Sequence, residues 1–208
     1  DYFQYFFPGT VVLILLFTAI FATISIIDDR NAGFLQSVLV APVSRTSIVG
    51  GKILGTTILS VGQAAIVLAF APLAGIPLGP IEVVGALFLL VLIAVGLSGL
   101  GFAIAWRMDS TQGFHAIMMA FLMPMWFLSG AFFPSSGLPV WLKTLVTINP
   151  LTYGLAAVRR VLYWSRPGLV GDVPSLGVSI GASVAFAVAM IALSTRVAAA
   201  HENPGRGS

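Results

Sequence analysis

The sequence predicts an all-α integral membrane protein. Of its 208 residues, 58% are hydrophobic and 8% charged, and the mean hydropathy is +1.03. Five windows reach the roughly 20 apolar residues that a helix needs to cross the hydrocarbon core of a bilayer, at 8–27, 53–74, 83–106, 114–133 and 173–195. No stretch alternates over about ten residues as the strands of a transmembrane barrel do.

The first window ends in a charged turn, Asp28-Asp29-Arg30-Asn31-Ala32-Gly33. Beyond it Phe34, Leu35, Val38 and Leu39 recur at helical spacing, which predicts a short amphipathic helix over about 31–40 with one apolar stripe. A stripe beside a membrane needs either headgroups or a protein partner. Gly and Pro inside the windows are compatible with helix, because neighbouring spans satisfy the freed backbone groups. The interval 134–172 is too apolar and aromatic for an ordinary loop. Pro134, Gly137 and Pro139 break the chain, a short helix is predicted over Val140–Ile148, and Asn149-Pro150 supplies a cap and a first-position proline for another helix reaching Trp164. Trp141, Tyr153, Tyr163 and Trp164 suit the headgroup level, with Arg159 and Arg160 turned outward to water. Two half-helices in the outer leaflet, within about 134–164, are the expectation.

Ten basic against seven acidic residues give a formal charge of +3, too few and scattered for a nucleic-acid surface. Cysteine is absent, which excludes disulfides, thiolate metal sites and thiol nucleophiles. Arg30, Arg45, Lys52, Arg107, Arg196 and Arg206 fall on one side of the spans, and Lys143, Arg159, Arg160 and Arg166 on the other. The positive-inside rule assigns the first group to the cytoplasm. The chain starts at Asp1 with no leader ahead of the first window, so a segment of a longer protein is expected.

Catalytic patterns are sparse. No nucleotide-binding glycine loop ends in Gly-Lys-Ser or Gly-Lys-Thr, and the two histidines, His115 and His201, lack partners at metal-ligand spacing. Gly96-Leu97-Ser98-Gly99 matches the short serine motif of intramembrane proteases, with His115 as the available base. Gly96, Ser98, Gly99 and Gly101 equally suit close helix packing, as do the pairs Gly51/Gly55 and Gly177/Gly181. Thr18, Ser25, Ser60, Gln63 and Ser129 lie inside windows and should face protein or an aqueous path. No carboxylate or cation sits deep in a span, which disfavours an ion-coupled carrier.

Four motifs in order resemble the ABC-2 type permeases, membrane subunits of ATP-driven exporters, and among them the daunorubicin-exporter type. They are Phe7-Pro8-Gly9; the turn from Asp28 to Leu35 followed by Leu39-Val40-Ala41-Pro42-Val43-Ser44-Arg45; Phe127-Leu128-Ser129-Gly130-Ala131-Phe132-Phe133-Pro134 with Leu138-Pro139-Val140-Trp141; and Asn149-Pro150-Leu151-Thr152-Tyr153 followed by Arg159. The resemblance implies a single ABC-2 transmembrane domain over 1–208, with five of six spans present and the first preceding Asp1. It implies a multi-pass protein of a prokaryotic plasma membrane, working as a transport subunit rather than an enzyme. ATP and Mg would be bound by a separate ATP-binding cassette subunit, with no cofactor on this chain, and a second permease subunit, identical or not, would complete the path. Asp28, Asp29, Arg30, Gly33, Phe34, Leu35, Val38, Leu39 and Pro42 would couple to the ATPase. Thr18, Phe21, Ser25, Met119, Met123 and Trp126 would line the path, and Gly130, Pro134, Trp141, Asn149 and Tyr153 would form the exit gate. The implied cargo is drug-like, lipid or polysaccharide.

Overall fold

A computed structural model describes residues 2–33, 44–132 and 139–200. Among them every regular element is helical. Helix α1 (Tyr2–Phe21) continues through a 3₁₀ turn, Ala22–Ile24, into the short α2 (Ser25–Asn31). The tightening has a local cause, since the buried Thr23 hydroxyl donates to the Ile20 carbonyl at 2.6 Å and competes with the helical ladder. Most of the amphipathic stretch predicted over 31–40, including Phe34, Leu35, Val38 and Leu39, lies outside the described residues, as does Pro42.

Helix α3 (Arg45–Leu68) begins where Ser44 Oγ accepts the Ser47 amide at 3.2 Å. It ends before a 3₁₀ turn over Ala71–Ala74 that contains Pro72. The span therefore sits about two turns earlier than the 53–74 window, because the serine cap starts the helix ahead of its apolar section and proline stops it. One result is that Lys52 lies inside a helix rather than at its border. Helix α4 (Pro80–Ala105) starts on a first-position proline. Helix α5 (Thr111–Trp126), capped by Ser110, runs into a π turn over Phe127–Ala131. The short helices α6 (Val140–Ile148) and α7 (Pro150–Leu162) follow, and α8 (Leu176–Ala200) starts just past Pro174.

Five segments are long and apolar enough to cross a membrane: α1 with α2, then α3, α4, α5 with its π turn, and α8. They alternate in direction, so α1, α4 and α8 run one way and α3 and α5 the other. Helix α4 is the hub, packed on α1, α3, α7 and α8. Its glycines make this possible: a Cβ on Gly96 would come within 2.6 Å of the Phe186 ring, and one on Gly99 within 3.0 Å of Met190. Small residues on α8 (Ser179, Ser183, Ala187, Ser194 and Ala198) are buried at helical spacing along that seam. The Ser194 hydroxyl donates to the Gly99 carbonyl across it at 2.8 Å. Exposed Leu54, Ile58, Ile66, Val184 and Val188 mark the outward sides of α3 and α8.

Candidate functional site

Three of the four sequence motifs meet at one end of the bundle, around α7. Pro8 lies inside α1 and has no amide, so the Gln4 carbonyl one turn back loses its helical donor. The Tyr163 hydroxyl donates to it at 2.5 Å. The adjacent Tyr5 carbonyl accepts from Arg159 Nη2 at 3.1 Å, and the same nitrogen reaches the Gly130 carbonyl at 3.3 Å. Tyr5 also donates its hydroxyl to Gly130 at 3.0 Å, while its ring lies 4.0 Å from the guanidinium carbon. Gly130 holds φ at +84° inside the π turn, a left-handed conformation open to glycine.

The Asn-Pro motif closes this junction. Asn149 Oδ1 accepts the Leu151 amide at 3.0 Å while Nδ2 donates to the Met125 carbonyl at 2.6 Å, so one amide caps α7 and ties it to the end of α5. Thr152 donates to Val146 at 2.8 Å and Tyr153 to Thr147 at 2.9 Å, folding α6 back on α7. Trp126 is buried, and its indole donates to Gly9 at 2.9 Å.

Two expectations are corrected here. Arg159, expected to point outward to water, is 1% exposed, because the Gly130 carbonyl of the π turn, the Tyr5 carbonyl of α1 and the Tyr5 ring draw it inward. Tyr163, expected at the headgroup level, is buried as well, and burial pushes its phenol up to about 12 against the opposing pull of the Arg159 charge. It therefore stays a donor at physiological pH. Arg160 is partly exposed and ties down the chain ahead of α8, with Nε to Pro174 at 2.6 Å and Nη2 to Val173 at 2.7 Å. Trp141 and Trp164 remain exposed. Pro134 lies outside the described residues.

The opposite end is organised by α2. Arg30 reaches the C-terminus of α4, donating to the carbonyls of Trp106 and, at 3.2 Å, Met108, and pairing with Asp109 at 3.1 Å. A cation on the last carbonyls of a helix complements its dipole. Lys52 of α3 pairs with Asp29 at 2.5 Å and reaches Ser25 Oγ at 3.3 Å. Asp28 is exposed, and Gly33 ends the described turn with φ at +74°. Thus α2 is held to both neighbouring spans immediately before the undescribed stretch. Lys52, Trp106 and Asp109 take part here without having been singled out in the sequence, although lysine near a span end opposite acids is a readable signal.

Between the ends, the six path residues are not equivalent. Thr18 donates to Gln63 Oε1 at 2.8 Å, and the Phe21 ring stacks on His115 at 4.8 Å. Ser25 donates to the Ala22 carbonyl at 3.1 Å. Met119 and Met123 are exposed on α5, whereas Trp126 is buried behind them. Ser98 is fully buried, and its hydroxyl has no hydrogen-bond partner among the described residues. His115 is exposed and engaged with Phe21 and the Thr111 carbonyl, so the described residues bring no base to Ser98.

The ABC-2 type transporter family model matches residues 1–163, the stretch that contains every motif assembled at both ends. The chain belongs to this ABC-2 type transporter family. It is 28% identical over 190 residues to the putative transport permease ycf38 of Cyanophora paradoxa, covering 88% of this chain and 65% of that one. It is 31% identical over 158 residues to the probable multidrug ABC transporter permease YbhR of Escherichia coli K12, covering 74% and 42%. The daunorubicin resistance ABC transporter permease protein DrrB1 of Streptomyces coeruleorubidus shares 24% over 165 residues, covering 78% and 58%. The chain thus spans about half the length of these curated relatives. This ABC-2 member is a multi-pass membrane protein, with the Asp-Asp-Arg turn and the Asn-Pro junction at opposite ends of one bundle.

Proposed function

We propose that the chain is the membrane-spanning part of an ATP-driven exporter in a prokaryotic plasma membrane, coupled to a separate ATP-binding subunit that holds ATP and Mg. The observation that carries the reading, beyond family membership, is the α2 clasp, in which Arg30 and Lys52 join α2 to α4 and α3. The apolar residues Phe34, Leu35, Val38 and Leu39 would dock on the ATPase, with Asp28, the Asp29 and Arg30 clasp, Gly33 and Pro42 beside them. Movement of that segment on ATP binding would pass through the clasp into three spans together. In this reading the stripe is paired with a protein partner, because a helix resting on headgroups is normally richer in Lys and Arg.

The path would be formed with a second permease subunit. Exposed Met119 and Met123, with Phe21, Thr18 and Ser25 nearby on α1 and α2, suit varied apolar cargo, and Trp126 would brace that wall from within. A Cβ on Gly51, Gly55, Gly177 or Gly181 would meet nothing within 4 Å among the described residues, which suits both small-residue pairs to a neighbouring subunit. At the α7 end the gate would be α6 with Trp141, swinging about Asn149 and Tyr153 while Gly130 and Pro134 flank it. Drug-like cargo is supported by relatives named for multidrug transport and daunorubicin resistance, beside lipid or polysaccharide.

The test is vanadate-sensitive ATP hydrolysis and export by the complete permease purified with its ATP-binding subunit, compared with Phe34→Ala and Leu39→Asp. Loss of stimulated hydrolysis and export in both variants is expected. Unchanged activity in both would overturn the docking role, and gradient-driven flux without the ATPase would overturn the exporter reading.

A further inference from the structure

Asn149 ties the end of α6 to the Met125 carbonyl, well inside the span that runs from Thr111 to Ala131. Helix α6 therefore descends into the membrane before α7 turns back. Between α6 and α5 this leaves a groove of about 280 Å³, lined by Ala120, Phe121, Pro124, Leu128, Leu145 and Ile148 among others. Apart from Asn149, whose amide is already committed to Met125 and Leu151, the lining is apolar. Ala120 lies midway along the 21-residue span, which puts the groove floor near the bilayer midplane. At 3.6 residues per turn, the α5 lining residues sit about 140° around the helix from Met119 and Met123, so the groove and the proposed path occupy different flanks of α5.

Water is a poor occupant, since an apolar cavity of about 150 Å³ already stays dry and takes up a small hydrocarbon. The groove is continuous with the lipid-facing side of α5, where Ile117 and Phe121 are exposed. It is also continuous with a stripe on α6. Trp141, Leu145 and Ile148 are spaced four and three residues apart, share one side of that helix and are all exposed. Val146 is the one buried residue of α6, so the stripe is left open to the bilayer. From Trp141, which suits headgroup depth, stripe and groove run roughly 10 Å along α6 and about 8 Å more along α5 to Ala120. One leaflet holds about 15 Å of hydrocarbon. A linear apolar track of one leaflet's depth, with an aromatic ring at its water-side end, has the dimensions of a lipid tail.

We propose that this groove binds one acyl chain of a phospholipid in the leaflet that contains α6, laid along the helix from Trp141 to Ala120 with its glycerol and phosphate at headgroup level. Only a tail of full leaflet length reaches the floor, so tail length rather than headgroup chemistry sets the selectivity. Binding needs the membrane bundle and not the ATPase, and it stands or falls apart from the exporter reading.

The complete permease, released from micelles containing equal amounts of dipalmitoyl and dioctanoyl phosphatidylglycerol, tests this by native mass spectrometry. The dipalmitoyl lipid should be retained several-fold above the dioctanoyl one. Ala120→Leu, which fills the groove floor from an exposed position on α5, should remove most of that preference. Ala192→Leu, the same change at an exposed position on α8, should keep it. Equal retention of both lipids by the unaltered protein, or the same preference in the two variants, would overturn the proposal. A phosphatidylglycerol with a photoactivated diazirine at the end of one tail should label the unaltered protein between Ala120 and Leu128 and at Ile148; labelling confined to other spans would overturn it whatever the variants do. Oxidative cross-linking of Phe121→Cys should give no product joining two copies through that position. Such a product would mean that a second copy covers the groove, and would overturn the lipid as its occupant.

Discussion

At the α7 end Arg159 is 1% exposed and is met by two carbonyls and an aromatic ring. At the α2 end the side chains of Arg30 and Lys52 keep 21% and 30% of their surface in solvent and are met by the carboxylates of Asp109 and Asp29, Arg30 also by the Trp106 and Met108 carbonyls and the Trp106 ring. Both ends use cations to join helices, but the surroundings give the joins different strength. A buried guanidinium fixed by backbone acceptors cannot let go without exposing an uncompensated charge to a low-dielectric interior. A partly exposed ion pair exchanges more readily with water and salt. The bundle thus has a fixed end and an adjustable end, and the adjustable one adjoins the stretch proposed to meet the ATPase.

The contrast can be broken by substitution, beginning with the largest effect. Arg159→Met should destabilise the protein by roughly 2–4 kcal/mol, since it removes the buried hydrogen bonds to the Tyr5 and Gly130 carbonyls and the contact with the Tyr5 ring; detergent unfolding titrations followed by tryptophan fluorescence would read it. Stability unchanged in that assay would remove the claim of a fixed end. Gly130→Ala should cost about 1–2 kcal/mol by the same method, because φ of +84° strains any residue bearing a Cβ. Lys52→Met should cost less than about 1 kcal/mol, and high salt should erase most of the difference between it and the unaltered protein. A large, salt-independent loss at Lys52 would make the two ends alike.

Much of this was legible in the sequence because its physical causes are local. Apolar run length marked the five spans, and Asn149-Pro150 announced the start of α7. The 53–74 window was misplaced because hydropathy sees the apolar section of a helix but not the serine cap nine residues upstream or the proline that ends it. The inward turn of Arg159 and Tyr163 escaped for a different reason. A charged or phenolic residue in an apolar interval reads as water-facing unless its acceptors are known, and two of these acceptors lie more than a hundred positions away in α1: the Tyr5 carbonyl for Arg159 and, for Tyr163, the Gln4 carbonyl opened by Pro8. Pro8 was visible as a motif, and the rule that an internal helical proline frees a carbonyl one turn back could have prompted the search for a distant donor. The partners of Arg30 were hidden similarly, since Trp106 and Asp109 become its neighbours only after α4 packs against α1.

The most direct measurement is hydrogen exchange by mass spectrometry on the complete permease with its ATP-binding subunit, with and without ATP and vanadate. Amides of α2 and the first turns of α3 should change protection on nucleotide trapping while those of α7 around Arg159 stay constant. Unchanged exchange at α2, or a larger change at α7 than at α2, would contradict the division into an adjustable coupling end and a fixed one.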